Sequence, residues 1–160
     1  MGKTPLHIGI EQARLRIRKF CDYRERNHRE VREKLYSFGL YTSQIEPIIA
    51  ELVGDNLLNE ERYARAFAGG KFRIKQWGKV KIVYELKKQQ ISPYCIKKGL
   101  QEIADDDYMA TLKKLAIQKR DQLRSVKNKL MKKQKIYLYL QQKGYEPQFI
   151  YTILSEILAP

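Results

Sequence analysis

One set of apolar positions occurs three times in this chain at almost constant spacing. Val31, Leu35, Leu40, Ile45, Ile49 and Leu52 align without gaps to Ile82, Leu86, Ile91, Ile96, Leu100 and Ile103, an offset of 51 residues. A further 54 residues on, the same positions carry Ile136, Leu140, Tyr145, Ile150, Leu154 and Ile157. The turn chemistry recurs with them. Gly39 and Gly144 occupy one repeat position, where a left-handed residue would end a helix, and Gln90 is the exception. Ser92-Pro93 and Glu146-Pro147 read as a cap followed by proline at the first helical position. A chain built this way folds as copies of one small unit rather than around a single mixed core.

The unit is three helices long. In the first copy, Ile10, Ala13, Leu15, Ile17, Phe20 and Cys21 give a helical spacing over 10–24. Asn27 and Glu30 match a capping box, Val31, Leu35 and Phe38 continue a second stripe, and Gly39 stops it. A third helix runs from about Thr42 to Val53, with Pro47 expected to kink it or delay its start. Leading helices at 60–75 and 106–123 precede the other two pairs. No stretch alternates with period two, so no sheet is expected. The predicted fold is all-α: a frayed segment 1–9, then three tandem three-helix modules at 10–55, 56–104 and 105–160. Modules of about 50 residues have marginal cores alone, so neighbours must lean on one another in an elongated, curved array.

The stretch Gly54–Ile82 carries the most information. Leu58 and Tyr63 stand at hydrophobic-staple positions around Asn59, which can cap a helix while Glu60 and Glu61 favour its positive first turn. Helical spacing puts Tyr63, Phe67, Gly70 and Ile74 on one face, with Arg62, Arg65, Gly69 and Arg73 beside it. Gly69 and Gly70 weaken a helix interior, so either another backbone approaches there or the helix bends.

Charge points to a polyanionic partner. The 160 residues hold 32 Lys and Arg against 18 Asp and Glu, a net +14, and the sequence pI is 9.8. The excess is +2 over 1–56, +7 over 57–104 and +5 over 105–160. Arg62, Arg65, Lys71, Arg73, Lys75, Lys79 and Lys81 surround Trp77, which could stack on a base or wedge between helices. A second cluster contains Lys132, Lys133 and Lys135. Cys21 and Cys95 have no metal-type spacing and form no disulfide framework, and no long apolar segment is present, which suits a cytoplasmic chain that neither enters a membrane nor is exported.

Other chemistry is not indicated. Gly69-Gly70-Lys71 lacks the full phosphate-loop spacing, and a helical stripe runs through it. Asp105-Asp106-Asp107 reads as helix entry rather than as a metal site, and His7 and His28 have no catalytic partners. No catalytic, cofactor or metal residue is expected, and nothing requires a dimer.

The segments RERNHREVREKLYSFG, DNLLNEERYARAFAGGKFRIKQWGKVKI and YELKKQQI resemble the RecX family of bacterial recombination regulators, over nearly the whole chain from about Ile10 to Leu158. Asn59 stands where the family more usually has aspartate, and Trp77-Gly78-Lys79-Val80 where it commonly has a glycine-proline turn. The resemblance implies a non-enzymatic regulator of homologous recombination, DNA repair and the SOS response. Such a protein binds RecA, lodges in the groove of the RecA–DNA filament and restrains ATP hydrolysis and strand exchange, with only weak, non-specific DNA binding of its own. The competing expectation is a self-sufficient DNA-binding protein whose trios act as helix-turn-helix-like modules.

Overall fold

In a computed structural model, which describes residues 7–158, the chain is all-α, with nine helices and no strand among those residues. The first trio is α1 (Ile10–Tyr23), α2 (His28–Ser37) and α3 (Thr42–Gly54). The middle trio is α4 (Glu60–Gly70), extended by a π-helical turn at Lys71–Lys75, then α5 (Lys79–Lys88) and α6 (Pro93–Leu100). The last is α7 (Asp105–Gln122), α8 (Lys129–Lys143) and α9 (Pro147–Ile157).

The helix boundaries follow local chemistry. Asn27 Oδ1 accepts the Glu30 N–H at 2.8 Å while Glu30 returns the bond, completing the capping box. Asn59 accepts the Arg62 N–H at 3.0 Å, and Ser92 accepts that of Cys95 at 3.2 Å. Gly39, Gln90 and Gly144, the three equivalent turn positions, all adopt positive φ (86°, 63° and 101°). Gln90 therefore keeps the left-handed conformation that its neighbours in the repeat reach with glycine. Pro47 neither delays nor interrupts α3, which starts at Thr42 and runs through it. Two helices depart from their expected entries. Ala104, not an aspartate, is the N-cap of α7, so Asp105–Asp107 favour its dipole without capping it, and Glu146 gives α9 no side-chain cap. Most of the segment expected to fray, 1–9, lies outside the described residues; within them, Ile8 N–H donates to the Phe38 carbonyl at 3.3 Å.

The repeat anchors are buried or, at Leu100 and Ile157, half-buried. They form two cores. Ala13, Ile17, Val31, Leu35, Ile45, Ile48 and Leu52 pack in the first, with Leu58 added from the next segment. The middle and last trios share the second, which runs from Tyr63 through Ile82, Leu86 and Leu112 to Ile136, Leu140 and Leu154. Leu58 and Tyr63 thus enter different cores instead of stapling the start of α4. Within the middle trio α4 crosses α6 closely enough that a Cβ on Gly99 would lie 2.7 Å from the Ala64 carbonyl oxygen.

A candidate polyanion-binding surface

The cationic surface is built on the end of α4, the π-helical turn and the start of α5. Widening of the helix at Lys71–Lys75 breaks the expected stripe: Phe72 is buried, while Ile74 is turned outward and 80% exposed. No foreign backbone approaches Gly69; the Arg73 guanidinium lies over it, where a Cβ would stand 2.8 Å from the Arg73 Nη1. Gly70 faces open space. The pair of glycines thus marks a change of helix type and a seat for an arginine.

This turn is held by the last trio. Gly78 N–H donates to the Lys143 carbonyl at 2.8 Å and Val80 N–H to that of Gly144 at 2.9 Å, so first-turn amides of α5 satisfy the carbonyls that end α8. A Cβ on Gly78 would lie 2.3 Å from the Gly144 carbonyl. Tyr145 donates to the Gln76 carbonyl at 2.9 Å and Lys143 Nζ to that of Lys75 at 3.3 Å. Tyr108 accepts the Lys79 N–H at 2.9 Å and donates to the Glu146 carboxylate. Burial, helped by that carboxylate, pushes the Tyr108 phenol far above the usual tyrosine range, and burial does the same to Tyr145.

The joint between the first and middle trios uses equivalent positions. Asn27 aligns with Gly78, Gln89 with Lys143, and Tyr63 and Tyr108 are each the fourth residue of their helices. Asn27 Nδ2 donates to Gln89 Oε1 at 3.2 Å, Tyr63 donates to the same oxygen, and Arg29 Nη1 reaches the Lys88 carbonyl at 2.9 Å. Side chains span this joint where the glycines of the other let backbones touch.

The predicted site residues fall into three groups. Arg62 and Arg65 hold the chain together: Arg62 Nε pairs with Glu25 at 2.6 Å and its Nη2 reaches the Asn56 carbonyl at 3.0 Å, while Arg65 pairs with Glu61 at 3.0 Å and Glu102 at 3.1 Å. Donating hydrogen bonds to Glu61 and then to Glu102 raises the Arg65 pKa above its ordinary value. Lys79 is partly engaged, 3.7 Å from the exposed Asp105 and over the Tyr108 ring at 4.7 Å. Lys71, Arg73, Lys75 and Lys81 have no carboxylate partner among the described residues. Trp77 is half-buried, edge-on to Phe67 at 6.4 Å, with Lys81 Nζ 4.5 Å and Lys71 Nζ 5.0 Å from its ring centre. It packs against the second core with cations over its ring, a wedge rather than an open stacking platform.

Lys132, Lys133 and Lys135 do not merge with this surface. They lie in the first half of α8, whose far end carries Lys143, so roughly 15 Å of helix separates Lys133 from Lys143. Lys143 itself belongs with Lys71, Arg73, Lys75 and Lys81, through its bond to the Lys75 carbonyl. Sequence reasoning missed Lys143 and the two clasping acids, Glu25 and Glu102; only the matching of Tyr63 to Tyr108 by helix start could have exposed the joints beforehand.

The described residues contain no group of three or more His, Cys, Asp or Glu placed to hold a metal, and no helix long and apolar enough to cross a membrane. A family profile described as RecX, second three-helix domain, matches residues 59–100. A "Regulatory protein RecX" from Prosthecochloris aestuarii is 30% identical over 141 residues, covering 87% of this chain and 89% of the relative. One from Clostridium acetobutylicum is 29% identical over 92% of this chain and 69% of its own length. Among solved structures, a RecX from Lactobacillus salivarius superposes with a TM-score of 0.85 at 24% identity, covering 94% of this chain and 97% of that one, which shows the shared fold. With its repeated helical trios, its two matched joints and a relative aligned along nearly its whole length, this chain belongs to the RecX family of regulatory proteins.

Proposed function

We propose that this chain is a monomeric, cytoplasmic regulator of homologous recombination and DNA repair. It binds RecA and the groove of the RecA–DNA filament, and so restrains ATP hydrolysis and strand exchange. The observation that carries this reading is the set of cations without acidic partners, Lys71, Arg73, Lys75 and Lys81, on a turn fixed in place by hydrogen bonds from the last trio. Fixed cations lose little entropy on meeting phosphates or acidic side chains, and they are attracted to both. Arg62 and Arg65 support that surface from within the molecule. The units 10–55, 56–104 and 105–160 act as successive segments laid along the filament, and no active site of the chain's own is required.

The test is RecA ATP hydrolysis on single-stranded DNA with increasing amounts of the chain. Arg73→Glu, Lys75→Glu and Lys81→Glu combined should abolish inhibition while leaving helicity and melting temperature unchanged. Undiminished inhibition by that folded variant would place the contact elsewhere.

A further inference from the structure

The last trio departs from the repeat at one place. By the 54-residue offset, Lys132 occupies the position of Asn27 and Gly78, the N-caps of α2 and α5. α8 does not start there. Its N-cap is Asn128, which accepts the Met131 N–H at 3.1 Å, so the helix begins four residues, about one turn, earlier than its counterparts. The joint that links each earlier trio to the next is thereby overwritten, and a different surface takes its place.

The extra turn brings two apolar side chains into solvent: Leu130 is 66% exposed and Met131 is also exposed. Leu130 opens a groove between α8 and α9, floored by Tyr137, Leu138, Tyr151 and Leu154, in which Leu138 is 53% exposed. Leu130, Gln134, Tyr137 and Leu138 stand at i, i+4, i+7 and i+8, one face of α8 about 12 Å long. A second depression, lined by Ile157 and Leu158, adjoins it at Leu130. The rim is basic. Lys129, Lys132 and Lys133 line these depressions, no acidic residue lines either, and none of the three makes an ion pair among the described residues.

Large exposed aliphatic side chains beside unpaired lysines do not suit a nucleic-acid backbone, which would leave the floor uncovered. Tyr137 and Tyr151 already pack on each other at 5.1 Å between centroids, which takes one face of each ring from any base. An amphipathic helix with an apolar stripe and acidic flanks meets both requirements: leucine-like anchors at i, i+3 or i+4 and i+7 fill two turns of groove, and carboxylates reach the lysine rim. We propose that the α8–α9 groove, opened by the added turn of α8, docks an acidic amphipathic helix of a protein partner. This site lies apart from the Trp77 surface and does not depend on the function proposed above.

The probe is a fluorescent synthetic peptide of about four helical turns, with leucine on one face and glutamate on the others. It is titrated into the full chain by anisotropy, with amide shifts recorded by NMR. Binding should shift Leu130, Gln134, Leu138 and Tyr151. Leu130→Ser with Leu138→Ser, both at exposed positions, should weaken it roughly tenfold or more with unchanged helicity. A scrambled peptide of equal charge should bind no better than that variant does. No binding, or equal binding of the scrambled peptide, overturns the proposal. A single-stranded oligonucleotide shifting the same amides would make the groove a nucleic-acid site, and sedimentation showing dimers that Leu130→Ser dissolves would make its occupant a second copy; either result also overturns it.

Discussion

Gly78 sits where two backbones meet, and its value lies in the side chain it lacks. Its φ of −75° is open to any residue, so alanine there would be penalised only by the missing space, 2.3 Å from the Gly144 carbonyl. Gly78→Ala should lower unfolding stability by about 1–3 kcal/mol in urea titrations, the usual cost of overpacking, and an unchanged midpoint would show that the trios separate freely. Two arginines test the division between clasp and contact. Arg62→Ala removes a half-exposed ion pair and should cost up to about 1 kcal/mol of stability. Arg73→Ala touches no acid and should leave stability within about 0.5 kcal/mol while weakening binding to single-stranded DNA. Reversal of those two outcomes in paired melting and binding measurements would exchange their roles.

At the level of helices, the joints are fastened by buried tyrosines. Burial raises the pKa of Tyr63, Tyr108 and Tyr145, so the folded state holds these protons more tightly than the unfolded chain does. Their contribution is complete below the unfolded phenol pKa of about 10 and is lost progressively as pH rises beyond it. Melting temperature followed by circular dichroism should therefore fall steeply above about pH 10. Tyr108→Phe should cost about 1–3 kcal/mol at neutral pH, by stranding the Lys79 N–H and Glu146, and should flatten the alkaline fall. Much of the helical plan was legible beforehand, because Val31, Ile82 and Ile136 and their companions answer to spacing alone. Cap residues such as Asn27, Asn59 and Ser92 were legible too, since a cap acts within four residues. The π-helical turn was not, because it depends on Phe72 entering a core shared with the last trio. Nor was the fate of Arg62, whose partner Glu25 lies 37 residues away and is delivered only by the packing of one trio on the next. The same reason hid Lys143 from the candidate surface.

For the molecule as a whole, the separation of the two basic clusters along α8 makes salt dependence informative. Binding to single-stranded DNA should weaken linearly in log–log terms with added salt. Neutralising Lys71, Arg73, Lys75 and Lys81 together should reduce the slope by up to about 3, at about 0.7 per phosphate contact, whichever sequence is used. A slope that does not change would show that these cations meet no phosphate. The two joints carry one more implication. Both are made in the same sense, and Ile8 closes the Phe38 carbonyl as Gly78 closes that of Lys143, whereas the final trio carries the lengthened α8 at the equivalent position. The array accordingly has a direction, like an arrow. Laid along any polymer that itself has a direction, it has two inequivalent orientations, and reversing it would exchange every neighbour it meets.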